Sequence, residues 1–311
     1  MEKAPLNSEI AGGPRDGAAY WVATSDGLRL RVAHWAAETK PLGTVFLFPG
    51  RTEYIELQGR TAKVFSGAGY ATLTIDWRGH GLSDRLLEDP ETLHISQYAD
   101  YQKDVETLLA VAEKRELPKP WFLVGNSMGG CIGLRALVKG LPVQACAFTA
   151  PMWSINMSGF NKLIALPLSF MATVLGKGSA YIPGHDGNNY VLNNPFEGNR
   201  ITNDADGYDY WYQQACVAPE LQTAGSSFRW LNQSLRECRR LSRVASPNLP
   251  SISFCGDNDA IVDPEAIRSR MQTWEDASFE IIPGAKHGLL LEAPDVRTRV
   301  IGKTLELFSQ T

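Results

Sequence analysis

The stretch WFLVGNSMGG, Trp121 to Gly130, decides how the rest of this chain is read. Four apolar residues, Trp121 to Val124, read as a short buried strand. Gly125, Asn126, Ser127, Met128 and Gly129 then fit G-x-S-x-G, and the apolar, alanine-containing run Cys131 to Val138 reads as a helix. Strand, sharp turn and helix is the context that pattern requires. A turn that lifts Ser127 above the end of a sheet holds its backbone in a strained region. Side chains two residues to either side would collide across so tight a bend, which calls for Gly125 and Gly129. The Met128 N–H then stands at a helix start, free to bind an anion. The bland alternative is a glycine-rich turn with a surface serine. The flanking strand and helix favour a nucleophile.

Outward from that stretch, strands and helices alternate. Upstream, Tyr20 to Ala23 and Arg29 to Trp35 flank Ser25-Asp26-Gly27 and read as a β-hairpin. Thr44 to Phe48 and Tyr70 to Ile75 read as buried strands, with a helix from Tyr54 to Ser66 between them. Ser96 to Arg115 reads as a long amphipathic helix. Residues 1–18, polar and glycine-rich, read as a loose arm. Downstream, Gln144 to Thr149 is a further strand. Alternation resumes with Leu249 to Cys255, Pro264 to Met271, Ser278 to Ile282 and Pro294 to Phe308 as strand, helix, strand and helix. This order implies an α/β protein with a mostly parallel, doubly wound sheet covered on both faces. Residues 151–245 break the alternation and are expected to form an inserted helical cap, or lid. The core is then residues 1–150 and 246–311.

Bulk properties narrow the function. The 311 residues carry a formal net charge of −4, without the basic footprint of a nucleic-acid binder. The first residues, MEKAPLNSEIAGG, lack the apolar core of a signal peptide. Nothing approaches the roughly 18 to 20 apolar residues a spanning helix needs. The five cysteines form no C-x-x-C pair and read as reduced thiols of a cytoplasmic protein.

A serine hydroxyl needs a base to take its proton and a third group to orient that base. In an open α/β sheet, the partners belong on loops beyond the carboxyl ends of other strands. Of the five histidines, His287 in Pro283-Gly284-Ala285-Lys286-His287-Gly288 follows the last strand and suits the order serine, acid, histidine. The acid should follow the preceding strand, where Asp257, Asp259 and Asp263 stand. Asp263 precedes Pro264 at a helix start and reads as an N-cap. Asp259 is favoured over Asp257, because the apolar pair after it can bury it against imidazole. The oxyanion needs two N–H donors. Met128 supplies one, and the Arg51 N–H, in the loop after the first long core strand, is the best placed second.

On these residues the chain resembles an α/β-hydrolase of the lysophospholipase and monoacylglycerol lipase type, often labelled serine aminopeptidase S33-like. The resemblance covers nearly all of residues 20–310. Its specific parts are D-x-R-G-x-G-x-S at Asp76 to Ser83, G-N-S-M-G-G at Gly125 to Gly130, G-x-x-D at Gly256 to Asp259, and His287-Gly288. It implies the triad Ser127, Asp259 and His287 with oxyanion donors Arg51 and Met128. Where the family usually has His-Gly before the first donor, this chain has Pro49-Gly50. The donor is a backbone group, so the hole should survive.

The implied activity is a serine esterase for acyl-chain esters such as lysophospholipids or monoacylglycerols, acting through an acyl-enzyme with no cofactor and no metal. A small-ester, lactone or amide hydrolase is the alternative, and a non-catalytic ligand-binding member a more distant one. Phe160 and Trp211 are the expected acyl-chain contacts in the cap. The apolar run Phe160 to Leu175 leaves room for a transient contact of the cap with a membrane surface. Arg236, Arg239, Arg240 and Arg243 share one helix and read first as a solvated face, with a headgroup phosphate site as the alternative. Asn203 to Asp209 hints at a calcium loop, but its glycine comes too early and no glutamate closes it.

Overall fold

A computed structural model describes residues 1–311, the side chain of Lys162 excepted. In chain order the strands are β1 (Glu2–Ala4), β2 (Ala18–Ala23), β3 (Arg29–Trp35), β4 (Gly43–Phe48), β5 (Tyr70–Asp76), β6 (Trp121–Asn126), β7 (Ala145–Thr149), β8 (Ser251–Gly256) and β9 (Ala277–Ile282). The helices are α1 (Ser8–Ala11), α2 (Gly59–Gly67), α3 (Tyr101–Lys114), α4 (Met128–Val138), α5 (Gly159–Val174), α6 (Tyr190–Asn193), α7 (Ala205–Val217), α8 (Phe228–Leu241), α9 (Pro264–Gln272) and α10 (Pro294–Ser309).

All nine strands join one sheet in the order β1-β2-β3-β5-β4-β6-β7-β8-β9. Strands β4 to β9 pair in parallel, and β1, β2 and β3 extend the sheet antiparallel. Side chains alternate between faces along each strand. Phe46, Phe48, Leu123 and Phe148 therefore pack on one face with Tyr101 and Val105 of α3 and Ile132 of α4. Val45, Leu47, Phe122 and Val124 pack on the other with Phe65 of α2 and Val300 and Phe308 of α10. Burial on both faces explains why the central strands read as continuous apolar runs.

The sequence reading needs one correction here. Residues 1–18 are not a loose arm. Glu2, Lys3 and Ala4 pair with Trp21, Tyr20 and Ala19, and Ala11 is buried. Ala4 and Leu6 pack on a small cluster that holds Trp35, Ile55 and Ala62. The Tyr210 hydroxyl donates to the Ala11 carbonyl at 2.7 Å. Two expected helices also begin later, each behind a single 3-10 turn, at Ile55–Gln58 and Tyr98–Asp100.

Between β7 and β8, residues 150–250 add helices α5 to α8 and no strand to the sheet. No helix among the described residues is long and apolar enough to cross a membrane.

Candidate active site

The turn between β6 and α4 holds Ser127 at φ 48°, ψ −114°, a left-handed conformation that a side chain adopts only under constraint. Its two glycines are needed for different reasons. A Cβ on Gly125 would stand 2.9 Å from Gly130 Cα, across the bend as the sequence suggests. A Cβ on Gly129 would stand 2.1 Å from the Phe48 carbonyl oxygen, so the obstacle there is the end of β4. Close approach of α4 to β4 is what brings the Met128 N–H beside the loop that carries Arg51.

Three loops at the carboxyl edge of the sheet converge on Ser127. His287 Nε2 lies 2.9 Å from Ser127 Oγ. His287 Nδ1 lies 2.7 Å from Asp259 Oδ2. The other Asp259 oxygen accepts the N–H groups of Ile261 at 2.7 Å and Val262 at 3.0 Å. Burial pushes the Asp259 carboxyl up, but the hydrogen bond from His287 and the two backbone donors outweigh it, and the net direction is down. Asp257 turns elsewhere and accepts the Gly284 N–H at 2.7 Å. Asp263 caps α9 through the Glu265 N–H. Of the three aspartates, Asp259 is the one whose side chain meets His287.

The remaining histidines serve structure. Burial lowers His34 and His185 to about 4 and His80 to about 3. His185 Nδ1 accepts the Ser226 N–H, and His94 Nδ1 meets Ser227 Oγ at 3.0 Å.

Among the described residues, the Arg51 and Met128 backbone N–H groups meet no acceptor. The Arg51 loop is braced from three sides. Trp77 Nε1 donates to the Pro49 carbonyl at 3.0 Å. Glu53 Oε2 accepts the Gly50 N–H at 2.7 Å. The Arg51 guanidinium reaches into the 150–250 segment, donating to Ser226 Oγ at 3.2 Å above the Trp230 ring. The Asp76–Ser83 stretch is the scaffold below. Asp76 accepts from Ile55 N and Leu82 N and pairs with buried Arg31 at 2.7 Å.

Glu53 is the residue that sequence reasoning missed. Its Oε1 accepts the Asn126 amide at 2.6 Å, so one carboxylate links the oxyanion loop to the residue before Ser127. Burial raises its carboxyl above the usual range, against the lowering by its hydrogen-bond donors. The only signal available was an acid three residues after Gly50.

The 150–250 segment touches every one of these loops. Ser226 and Trp230 hold Arg51. The Ile201 carbonyl accepts the Gly288 N–H at 2.7 Å, next to His287, and Ile155 bridges Val262 beyond Asp259. The expected acyl-chain contacts are placed differently. Phe160 is 72% exposed near the start of α5. Trp211 is 4% exposed and packs with Tyr54, Leu57, Val191 and Tyr208 as core of the segment's base. A run of apolar residues looks alike whether it faces a ligand, a core or solvent. The stretch that hinted at calcium is accounted for otherwise: Asp204 caps α7 through the Gly207 N–H, and the Asn203 amide donates to the Gly284 carbonyl.

A strained serine at a strand-to-helix turn, hydrogen-bonded to a histidine that an aspartate holds, is the arrangement of a serine hydrolase on the α/β-hydrolase fold. A family model described as serine aminopeptidase, S33 matches residues 39–294, and the chain belongs to that family. It is 27% identical over 286 residues to lysophospholipase L2 of Escherichia coli, covering 86% of this chain and 80% of that one. It is 24% identical over 270 residues to the monoacylglycerol lipase of Mycolicibacterium smegmatis, covering 86% and 88%. Among solved structures, a soluble variant of monoglyceride lipase from Saccharomyces cerevisiae, in complex with a substrate analog, matches with TM-score 0.74 at 20% identity over 94% of both chains. A carboxyl esterase from Bacillus coagulans matches with TM-score 0.74 at 17% identity, over 94% and 98%. At such identities the structural likenesses speak for the fold alone. Family and relatives together make the chain a serine ester hydrolase.

Proposed function

We propose that the chain hydrolyses lipid esters with a single acyl chain, lysophospholipids or monoacylglycerols, on Ser127. The observation that carries the chemistry is the relay itself, Ser127 Oγ to His287 Nε2 at 2.9 Å and His287 Nδ1 to Asp259 at 2.7 Å. His287 takes the Ser127 proton as Oγ adds to the ester carbonyl. Asp259 fixes the imidazole tautomer and stabilises the imidazolium that forms. Negative charge on the tetrahedral oxygen meets the Arg51 and Met128 N–H groups, each such donor contributing on the order of 10²–10³ in rate. Collapse expels the alcohol, which takes the proton back from His287. A water then gives its proton to the same imidazole and attacks the acyl-enzyme carbonyl, and the fatty acid leaves as Ser127 Oγ takes that proton back from His287.

The substrate class rests on the names of the relatives, a lysophospholipase and a monoacylglycerol lipase, and on residues 151–245 acting as a cap over the site. That cap role is supported by its contacts with the loops of Arg51, Asp259 and His287. Each methylene buried beneath the cap is worth about 0.8 kcal/mol, or about fourfold. A series of p-nitrophenyl esters, followed by monoacylglycerols and lysophosphatidylcholine, is the test. The expected result is a steep rise of kcat/KM from acetyl to octanoyl and turnover of at least one lipid. An optimum at acetyl or propionyl would move the substrate to small esters and leave the Ser127 chemistry in place.

A further inference from the structure

The side chain of Arg51 is a cation that the protein itself leaves without an anion. A guanidinium offers a planar fork of N–H donors and no acceptor. Among the described residues a single donor of that fork is used, Nη1, which meets Ser226 Oγ at 3.2 Å. The group lies above the Trp230 ring, 5.6 Å from its centroid. No carboxylate of the described residues stands within salt-bridge distance of it. Glu53, two residues on, is turned to Asn126, Gln58 and the Gly50 N–H instead. Burial lowers the guanidinium from its ordinary value, with no carboxylate to raise it again. Its charge reaches its neighbours: burial first, and the Arg51 charge second, lower His185 to about 4.

Elsewhere the chain answers such a charge when it buries one. Arg31 meets Glu56 and Asp76, Arg78 meets Asp104 and Asp26, and Arg135 meets Glu237. Arg270 ends on the Leu241 and Val244 carbonyls at the end of α8. Arg236, Arg239, Arg240 and Arg243, by contrast, are exposed and form a solvated face. Arg51 belongs to neither kind. It is partly buried, and a charge taken from water without a partner is costly. That cost is offset when an anion arrives with the ligand. The position suits a group of the substrate. The Arg51 N–H is a donor to the ester oxygen, and its side chain leads from there to Ser226 and Trp230. In a lysophospholipid one glyceryl unit separates the ester carbonyl from the phosphate, a span comparable to an arginine side chain.

We propose that the Arg51 guanidinium selects the leaving group: it binds the phosphate of a departing glycerophosphate, and it makes lysophospholipids preferred over monoacylglycerols. This rests on the lipid-ester reading above and chooses within it. Guanidinium and phosphate meet through paired, charge-assisted N–H···O bonds. A monoacylglycerol presents only a hydroxyl there and leaves the cation unpaired.

The experiment compares octanoyl glycerol with octanoyl glycerophosphate, two esters of the same acyl chain, by fatty-acid release. The wild type is expected to favour the phosphate ester on the order of 10- to 100-fold in kcat/KM, the effect of hydrogen bonds to a charged group. Arg51→Gln keeps a backbone N–H at this position. Whatever it does to the oxyanion loop is common to both esters and cancels in their ratio, so the loss of preference reads the guanidinium alone. Arg51→Lys keeps the charge without the fork and should hold an intermediate ratio. Glycerol phosphate should inhibit p-nitrophenyl octanoate hydrolysis competitively in the wild type, and on the order of tenfold more weakly in Arg51→Gln. Equal turnover of the two lipids by the wild type, or an unchanged ratio in Arg51→Gln, would overturn the proposal and leave the lipid-ester reading in place. Inhibition by inorganic phosphate as strong as that by glycerol phosphate would overturn it too, since Arg51 would then hold a free anion. Turnover of neither lipid, with p-nitrophenyl octanoate still cleaved, would remove the lipid-ester reading and this proposal with it.

Discussion

Glu53 Oε1 accepts the Asn126 side-chain amide at 2.6 Å, while its Oε2 accepts the Gly50 N–H at 2.7 Å and the Gln58 amide at 3.1 Å. One carboxylate thus fixes the spacing between the Arg51 donor and the turn that carries Ser127. Glu53→Gln turns one acceptor into a donor and sets an NH₂ group against a donor of Asn126, Gln58 or Gly50. A buried mispaired donor costs about 1–3 kcal/mol, so kcat should fall on the order of 10- to 100-fold with little change in KM. An unchanged kcat would make Glu53 a bystander.

The same group has a pH signature. Its folded pKa lies above the reference value of 4.5. Above 4.5, and up to the folded value, the folded chain holds more protons at Glu53 than the unfolded chain. Stability from this site therefore falls as pH rises through that window. Urea midpoints measured across the window should show that fall in the wild type and a flatter profile in Glu53→Gln. Identical profiles would contradict the assignment.

Asp259 works in the opposite sense. Its folded carboxyl lies below the reference value of 3.8, because the His287 bond and the Ile261 and Val262 N–H groups outweigh burial. Its contribution to stability is present above 3.8 and is lost as pH falls through the folded value. Asp259→Asn should cost on the order of 10⁴ in kcat through loss of the correct imidazole tautomer. Asp257→Asn, whose native partner is the Gly284 N–H, should cost far less. Steady-state rates of the two variants decide it, and a reversed order would make Asp257 the orienting acid.

Gly129→Ala tests the packing that brings the oxyanion donors together. The new Cβ would stand 2.1 Å from the Phe48 carbonyl oxygen, so β4 or α4 must give. Overpacking of this kind costs about 1–3 kcal/mol, and turnover should fall more than stability because the Met128 N–H shifts with the helix. Gly302→Ala in α10 is the control. Nothing lies within 4 Å of its Cβ position, and alanine should stabilise that helix by up to about 1 kcal/mol. Calorimetry and kcat on both variants check the contrast. Full activity in Gly129→Ala would contradict it.

Much of the fold was legible because burial leaves a periodic trace. The continuous apolar runs at Thr44 to Phe48 and Trp121 to Val124 read as strands covered on both faces, and the structure places them side by side. Ser127, Asp259 and His287 were legible because each follows a strand end, and strand ends are marked by glycines. The β1 strand was not legible. Three residues at a sheet edge have no periodicity, and its pairing depends on Trp21 and Tyr20 far along the chain. Glu53 left no trace either, since a loop acid looks the same whether it is solvated or holds three donors. The places of Phe160 and Trp211 depend on how α5 and α7 fold over the core, which composition does not record.

The central claim is that Ser127 is the nucleophile. The most direct measurement is labelling with a fluorophosphonate probe, read by peptide mass spectrometry, alongside turnover of an octanoyl ester. One label per chain is expected, on Ser127. Ser127→Ala should take no label and lose on the order of 10⁶ in turnover, and adding His287→Ala should make it hardly worse, because the residues act as a unit. A label on another residue, or substantial turnover by folded Ser127→Ala, would contradict the account.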